Sequence, residues 1–326
     1  MQNEHTWRTL LTQLIADHIE RQRIAQQLGI HQLTLTRWAN GISQPRPDLL
    51  RAFVQTLPAS QEELRTLLLR DYPDLLEEPG NQELQAIPSP FYARVFHAHT
   101  TLPPQLREVS VSLLILQQML MHLDPRRIGT MIFLARCMPS TNGYTHSLRQ
   151  TLGRASGPWE RLIEQQELDQ QTIFFGAESQ PGYTVVTGRL ALITQRQNKD
   201  MEFPAIAFPA EKSALTIPLL LADRVAGCVC LLSTQPHYFT QERISLVEQY
   251  ANVLTTTLNT LDFYQLHTIK LGIFPPRELQ WPVLTTFQQR LTKYLLQHTM
   301  TREAAEQRVW LDIETELLQI AQISSH

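Results

Sequence analysis

The strongest constraint in this sequence lies between residues 21 and 47, where two short helices have to meet at a sharp corner. Ala25 and Gly29 stand four positions apart in a segment whose apolar residues have helical spacing. A small residue such as Ala25 lets a second helix pack closely against the first, and Gly29 tolerates the left-handed backbone of a tight turn. The pattern therefore predicts two helices that cross steeply. The apolar side chains expected around their junction are Ile24, Leu28, Ile30, Leu35 and Trp38.

This spacing resembles the helix-turn-helix of the XRE/Cro-like family of DNA-binding domains, over roughly residues 8–58. After Trp38 the resemblance continues through Asn40-Gly41 and Pro45 to a further amphipathic segment. It implies a five-helix domain in which the second helix of the motif enters the major groove of double-stranded DNA.

The resemblance also implies which side chains contact DNA, once Leu35 and Trp38 are turned inward. Gln can pair with adenine, Arg can form two hydrogen bonds to guanine, and Leu can touch a thymine methyl group. The expected base contacts are Gln32, Leu33, Thr36 and Arg37. The expected phosphate contacts are Arg21, Asn40, Ser43 and Arg46. For each polar residue, and above all for Thr36 and Ser43, the alternative is ordinary solvation.

The charge of the chain gives no general argument for nucleic acid, because the formal net charge is only -3. Residues 1–58 carry six basic and four acidic residues, and residues 59–90 carry two and seven. The N-terminal region, residues 1–58, is only weakly basic and therefore makes few phosphate contacts. Affinity for DNA rises with the number of neutralised phosphates. The sequence therefore predicts a homodimer that reads two half-sites.

Two apolar runs with strand character, residues 215–221 and 225–232, flank the short turn Ala222-Asp223-Arg224. Gly227 inside the second run indicates a bulge or a close approach of another backbone. Phe239-Thr240 then opens a long amphipathic helix. This order resembles the end of a GAF domain over about residues 205–261, whereas over 104–204 only the order of the elements agrees.

GAF domains are antiparallel sheets with helices on their faces, and they commonly bind small ligands or serve as dimerisation modules. The resemblance therefore allows a small-molecule ligand, and it implies that the outer helices 104–123 and 241–261 can pair. The residues in the variable part where GAF pockets form are Tyr144, His146, Trp159, Tyr183 and Arg189. Each of these also fits a structural or surface role. The cofactor remains unknown, and the sequence requires none.

Four parts follow from these patterns, and the predicted fold class is multidomain. An all-α helix-turn-helix domain covers residues 1–70, and a linker rich in proline covers 71–90. An α+β GAF-like sensory or dimerisation domain covers 91–261, and a helical extension covers 262–326. The apolar stripes of the extension are expected either to pack on the GAF-like core or to form an assembly surface.

The three cysteines, Cys137, Cys228 and Cys230, are few and odd in number, which is typical of a reducing cytoplasm. Cys228 and Cys230 share one side of a strand and are expected to be buried thiols. No metal-binding set and no catalytic motif accompanies them, so we expect neither a metal site nor an enzyme. A polar N-terminus and short apolar runs predict a cytoplasmic chain with no membrane partner.

The sequence therefore predicts a DNA-binding transcription regulator of the XRE/Cro-like type, with a GAF-like sensory or dimerisation domain. One alternative is a scaffold or protein-interaction module, in which the helix-turn-helix docks a protein. A second alternative is a thiol-dependent GAF enzyme.

Overall fold

Helices make up the described part of the N-terminal unit. The computed structural model describes residues 6–45, 47–57, 61–72, 86–159, 172–196 and 210–324. The chain separates into two units, residues 1–83 and 84–326, at a point inside the predicted linker. The first unit contains α1 (Trp7–Leu14), α2 (His18–Leu28), α3 (Gln32–Ala39), α4 (Pro47–Thr56) and α5 (Glu62–Asp71).

The corner between α2 and α3 has the geometry that the sequence predicts. Gly29 ends α2 with φ 62° and ψ 32°, in the left-handed region. The amide of Ile30 donates to the carbonyl of Ala25 at 3.0 Å, which satisfies one of the last carbonyls of α2. Asp17 begins the same helix, because its side chain accepts a hydrogen bond from the amide of Ile19.

One apolar core joins the five helices. Leu35 and Trp38 of α3 are buried as expected, and Trp38 meets Phe53 of α4 edge-on with ring centroids 6.5 Å apart. Trp7 of α1 packs in the same way against Tyr72, at 6.0 Å. The inner face of α3 is therefore fixed by the core, and its opposite face is left to solvent.

The second unit is built around an antiparallel sheet. Its strands are β1 (Thr130–Cys137), β2 (Leu148–Ala155), β3 (Phe174–Phe175), β4 (Ala191–Ile193), β5 (Ser213–Leu221), β6 (Arg224–Ser233) and β7 (Tyr264–Gln265). The strand order is β3-β2-β1-β6-β5-β4, and β7 pairs with β6. Gly227 of β6 has φ 142°, and a side chain there would meet the carbonyl of Ala135 in β1. This is the close backbone approach that the sequence indicated.

Helices cover the sheet and extend beyond it. They are α6 (Ser89–Thr101), α7 (Pro104–Leu123), α8 (Gln180–Thr187), α9 (Gln241–Thr257), α10 (Arg277–Leu284), α11 (Phe287–Gln297) and α12 (Arg302–Ser324). α6, α7 and α9 share one core with the sheet, and α8 belongs to the core on the other face. Among the described residues, none of these helices is long and apolar enough to cross a membrane.

Two predicted boundaries differ from the structure. The linker was expected to run to residue 90, but α6 begins at Ser89 with Pro90 in its first turn. Proline is tolerated there because a first-turn amide has no partner inside the helix. The helix expected over 241–261 ends at Thr257, and a separate 3₁₀ turn follows at Thr260–Asp262.

The C-terminal extension packs on the sheet. Gln280 of α10 is fully buried, and its side chain takes the place of a neighbouring strand for Phe174 of β3. Oε1 accepts from the amide of Phe174 at 2.9 Å, and Nε2 donates to the carbonyl of the same residue at 3.0 Å. Nε2 also donates to the carbonyl of Pro275 at 2.8 Å. A single side chain therefore joins the sheet edge to the extension.

We expect Gln280→Ala to lower the free energy of unfolding by about 2 kcal/mol, because it leaves a buried amide and a buried carbonyl without partners. Guanidinium titration followed by circular dichroism measures this loss. Gln297→Ala, on an exposed position of α11, is the matched control and is expected to unfold at the wild-type denaturant concentration. Equal midpoints for the two variants would contradict the role of Gln280.

Glu314 of α12 is a second buried anchor of the extension. It accepts a hydrogen bond from the hydroxyl of Ser147 at 2.5 Å, and burial raises the pKa of its carboxyl above the ordinary value of 4.5. The folded chain therefore holds this proton more tightly than the unfolded chain does. Its contribution to stability is complete below 4.5 and is lost as the pH rises through the folded value.

Glu314→Gln cannot ionise, yet it keeps an oxygen that accepts from Ser147. We therefore expect the variant to lose less stability than the wild type as the pH rises above 4.5. Thermal unfolding across a pH series measures the difference. Parallel curves for the two proteins would show that Glu314 is not responsible.

Candidate functional site

The outer face of α3 holds the side chains predicted to contact base edges. Leu33 is 66% exposed, and Arg37 is exposed as well. Gln32 and Thr36 are half-buried, and the hydroxyl of Thr36 donates to the carbonyl of Gln32 at 3.4 Å. Thr36 is therefore partly engaged within its own helix, while Leu33 and Arg37 project furthest into solvent.

A groove of about 690 Å³ separates the start of α3 from α2. This α2–α3 groove brings Arg21 together with three of the predicted base contacts on α3. Its lining residues are Arg21, Gln22, Ala25, Gln26, Gly29, Ile30, His31, Gln32, Leu33 and Thr36. A predicted phosphate contact and predicted base contacts thus share one solvent-facing depression.

His31 is a groove residue that the sequence analysis missed. It is the N-cap of α3, and its Nδ1 accepts a hydrogen bond from the amide of Leu33 at 3.2 Å. Because Nδ1 is an acceptor in this bond, the neutral ring carries its proton on Nε2. The signal was available in the sequence, since the residue before a helix start is a cap position.

Two further predicted phosphate contacts, Asn40 and Ser43, follow the other end of α3. Asn40 caps the helix and is exposed, and Ser43 is half-buried. The amides of Ile42 and Ser43 both donate hydrogen bonds to the carbonyl of Arg37, with N–O distances of 2.9 and 3.3 Å. Arg46 lies outside the described residues. Arg8 of α1 approaches Gly41, so a further cation stands beside this turn.

The residues predicted to line a ligand pocket in the second unit lie on several parts of the fold, and two of them contact Lys270. Lys270 Nζ lies 3.7 Å from the ring centroid of Tyr144, and His146 Nδ1 is 3.2 Å from the Lys270 carbonyl. Trp159 is 1% exposed and belongs to the core beneath the sheet. Tyr183 of α8 and Arg189 after it are exposed. Their assignment to one pocket stays a prediction.

A different set of residues surrounds an enclosed space between the sheet and α8. The cavity measures about 20 Å³, which is room for about one water molecule. Its lining residues are Phe133, Phe175, Ser179, Gln180, Pro181, Arg196, Glu211, Thr216, Cys230 and Leu232. Arg196 Nη2 lies 2.8 Å from the buried carboxylate of Glu211 at its margin. Residues so far apart in sequence carry no local pattern, so only the folded chain reveals them.

The cysteines have the arrangement that strand periodicity predicts for Cys228 and Cys230. Both are buried in β6 on one side of the sheet, and their Sγ atoms are 3.6 Å apart. Burial raises the pKa of the Cys228 thiol and also that of the half-buried Cys137. A neutral thiol is a weak nucleophile. Among the described residues, no cluster of histidine, cysteine and carboxylate side chains could hold a metal ion.

Comparison with known proteins identifies the sheet and its helices. Residues 107–258 match the model of the GAF domain family, and this range runs from the start of α7 to the end of α9. The second unit contains a GAF domain. A search of curated proteins finds no match.

Solved structures resemble about half of this chain at low sequence identity. The type II free methionine-R-sulfoxide reductase from Thermoplasma acidophilum is 13% identical, with 50% of this chain and 93% of that chain covered and a TM-score of 0.33. The GAF domain from an Acinetobacter phosphoenolpyruvate-protein phosphotransferase is 11% identical, with 52% and 90% covered and a TM-score of 0.35. The free methionine-R-sulfoxide reductase from Neisseria meningitidis is 13% identical, with 53% and 93% covered and a TM-score of 0.35.

We expect the thiols of Cys228 and Cys230 to resist alkylation in the folded protein, because both are buried and burial keeps the Cys228 thiol protonated. Treatment with iodoacetamide, followed by mass spectrometry, measures the modified fraction at each cysteine. The denatured chain is the control and is expected to be modified at all three. Rapid modification of either residue in the folded protein would contradict the burial described here.

Proposed function

We propose that this protein is a sequence-specific DNA-binding transcription regulator whose GAF domain is a sensory or dimerisation domain. The observation that carries the proposal is the corner at Gly29, from which the outer face of α3 projects into solvent. Leu33 and Arg37 on this face are exposed, while Leu35 and Trp38 hold the helix to the core. This geometry supports the proposal of an XRE/Cro-like helix-turn-helix, in which the first turns of the second helix would contact base edges.

The chemistry of the exposed face supports DNA as the partner. Arg37 offers paired donors to guanine, Gln32 can pair with adenine, and Leu33 is an apolar contact for a thymine methyl group. Arg21 lines the same α2–α3 groove and supplies a cation for a phosphate. The Nε2 proton of His31 adds a second donor beside it, so the groove suits the backbone of one DNA strand.

The modest charge of the first unit supports a dimer. Each copy offers few cations to phosphates, and affinity at physiological salt depends on their number. Two copies on one DNA double the phosphate contacts and read two half-sites. The GAF domain is covalently joined to this unit and is the proposed site of association.

A non-enzymatic role for the GAF domain is supported by its interior. The thiols of the buried Cys228 and the half-buried Cys137 have raised pKa values and lack the character of catalytic cysteines. We propose a cytoplasmic protein, in which these thiols stay reduced.

A protein-docking role is the second candidate, and exposed apolar side chains favour it. Ile19, Leu33 and Ile42 of the first unit are 75%, 66% and 68% exposed. A partner protein would cover such residues, whereas DNA would contact Leu33 through a thymine methyl group. Binding to duplex DNA from a random pool, in the absence of any other protein, separates the two candidates.

We expect Arg37→Ala to weaken binding to the selected site by about 1–3 kcal/mol, and to relax the preference at the base pair that Arg37 contacts. The fold is expected to survive, because the side chain is exposed. Selection from random duplexes, followed by titration of wild type and variant against the same site, measures both effects.

Arg70→Ala, on the exposed side of α5, is the matched control, because it removes the same charge from a helix outside the groove. Its binding is expected to equal that of the wild type. An unchanged footprint and affinity for Arg37→Ala would refute the assignment of α3 as the DNA-reading helix.

A further inference from the structure

Two thiols lie side by side on the sheet of the GAF domain. Cys228 and Cys230 occupy neighbouring positions on one face of β6, both are buried, and their Sγ atoms are 3.6 Å apart. The Sγ atom of Cys228 donates to the carbonyl of Pro181 at 3.9 Å, so α8 covers the pair. A fixed pair of sulfur atoms can form two bonds to one atom that enters between them.

The third cysteine, Cys137, lies outside this pair. The strand pairing puts Ala135 of β1 opposite Cys228, so Cys137 is in a diagonal position. Diagonal positions of paired strands are about 7–8 Å apart. Within the described ranges of the chain, no three histidine, cysteine or carboxylate side chains converge on one point. The described residues therefore supply two sulfur ligands to an atom bound here, and a third ligand has to come with that atom.

The distance between the sulfur atoms restricts which atom can join them. With bonds of about 2.3 Å, the length of a zinc–sulfur bond, a linear two-coordinate ion needs sulfur atoms about 4.6 Å apart. At the same bond length, the observed 3.6 Å corresponds to an angle of about 100° at the central atom. A zinc ion has angles close to this value, but it takes four ligands in structural sites. A pyramidal atom with three bonds and one lone pair needs only one ligand beyond the two sulfur atoms.

The protonation of the pair restricts the ligand further. Burial and the neighbouring sulfur of Cys230 raise the pKa of the Cys228 thiol, so this thiol keeps its proton at neutral pH. A metal cation binds thiolates, and it would also bring its charge into an apolar core. A neutral hydroxide avoids both costs, because its own hydroxyl groups accept the thiol protons and leave as water.

A small space beside Cys230 has room for the remaining ligand. The cavity of about 20 Å³ between the sheet and α8 can hold about one water molecule, and therefore also one hydroxyl group. Cys230 lines this cavity together with the polar residues Ser179, Gln180 and Thr216. Hydroxyl and amide side chains of this kind can hydrogen bond to a hydroxyl group. The site therefore combines two sulfur ligands with a polar space for one oxygen ligand.

We propose that Cys228 and Cys230 together bind trivalent arsenic, which they take from arsenous acid, As(OH)₃. This acid is uncharged at neutral pH, and its arsenic atom is pyramidal. Two As–O bonds break and two As–S bonds form, and each thiol proton leaves with a hydroxyl group as water. The third hydroxyl group stays on arsenic and occupies the cavity beside Cys230. No electron is transferred, so the reaction needs neither an oxidant nor a reductant.

Equilibrium dialysis of the full-length protein against sodium arsenite tests the site. The protein is kept reduced with a phosphine, so that no other thiol competes, and the bound arsenic is measured by mass spectrometry. We expect one arsenic atom per chain. Cys228→Ala and Cys230→Ala are each expected to weaken binding at least about a hundredfold, because a single As–S bond lacks the gain from two linked bonds. A wild-type chain that retains no arsenic would overturn the proposal.

Cys137→Ala is the matched control, because it removes a thiol from the same face of the sheet but outside the pair. It is expected to bind arsenic as tightly as the wild type, and an equal loss in this variant would refute the assignment. X-ray absorption at the arsenic edge tests the wild-type protein directly, even where an alanine variant does not fold. We expect two sulfur neighbours and one oxygen neighbour around arsenic. One or three sulfur neighbours would contradict the proposed site.

The inference names a ligand class for the sensory domain, and in that respect it rests on the proposed function. The binding measurements need no DNA, so their outcome is independent of the DNA-binding test. A chain that retains arsenic at the pair but binds no duplex keeps the site and loses the proposed regulator. A chain that selects a DNA site but retains no arsenic keeps the regulator and loses the site.

Discussion

The burial of β6 on both faces is the constraint on which the second unit depends. This strand is apolar almost from end to end, and nine of its ten residues are buried. Such a strand is stable only when each face of the sheet is covered. α7 and α9 cover one face, while α8 and the segment after α9 contribute to the other. Gly227 allows the central pair to form, because a side chain there would collide with β1.

The edge of the sheet at β3 explains why the C-terminal extension is part of the folded unit. β3 is only two residues long and leaves a sheet edge with unpaired backbone groups. The side chain of Gln280 satisfies both polar groups of Phe174, and Arg149 of β2 lies 4.3 Å from the ring centroid of Trp310 in α12. The extension therefore completes the sheet edge through polar and aromatic contacts as well as through its apolar core.

The two sides of α7 differ in burial. Its inner side, including Ile115 and Met119, is fully buried against the sheet and α9. Its outer side carries Leu106, Val109 and Met121, which are 58%, 46% and 50% exposed. α9 was also expected to pair, and its Tyr250 is buried, with the ring centroid of Phe91 in α6 6.1 Å away. Pairing of either helix stays a prediction.

The sequence alone determined the corner at Gly29, the inward side of α3 and the core strands of the GAF domain. These features follow from local rules: a glycine where the backbone is left-handed, apolar spacing of three and four in helices, and unbroken apolar runs in strands. The exposure of Leu33 and Arg37 follows from the same helical period, because Leu35 and Trp38 occupy the positions that face the core.

The tertiary structure decided which residues from distant segments of the chain come together. The cavity beside Cys230, the anchor at Gln280 and a groove between α7 and β2 each combine residues that lie far apart in the chain. Period and composition report which side of a helix or strand is buried, whereas the packing of one element on another decides which buried and exposed sides meet.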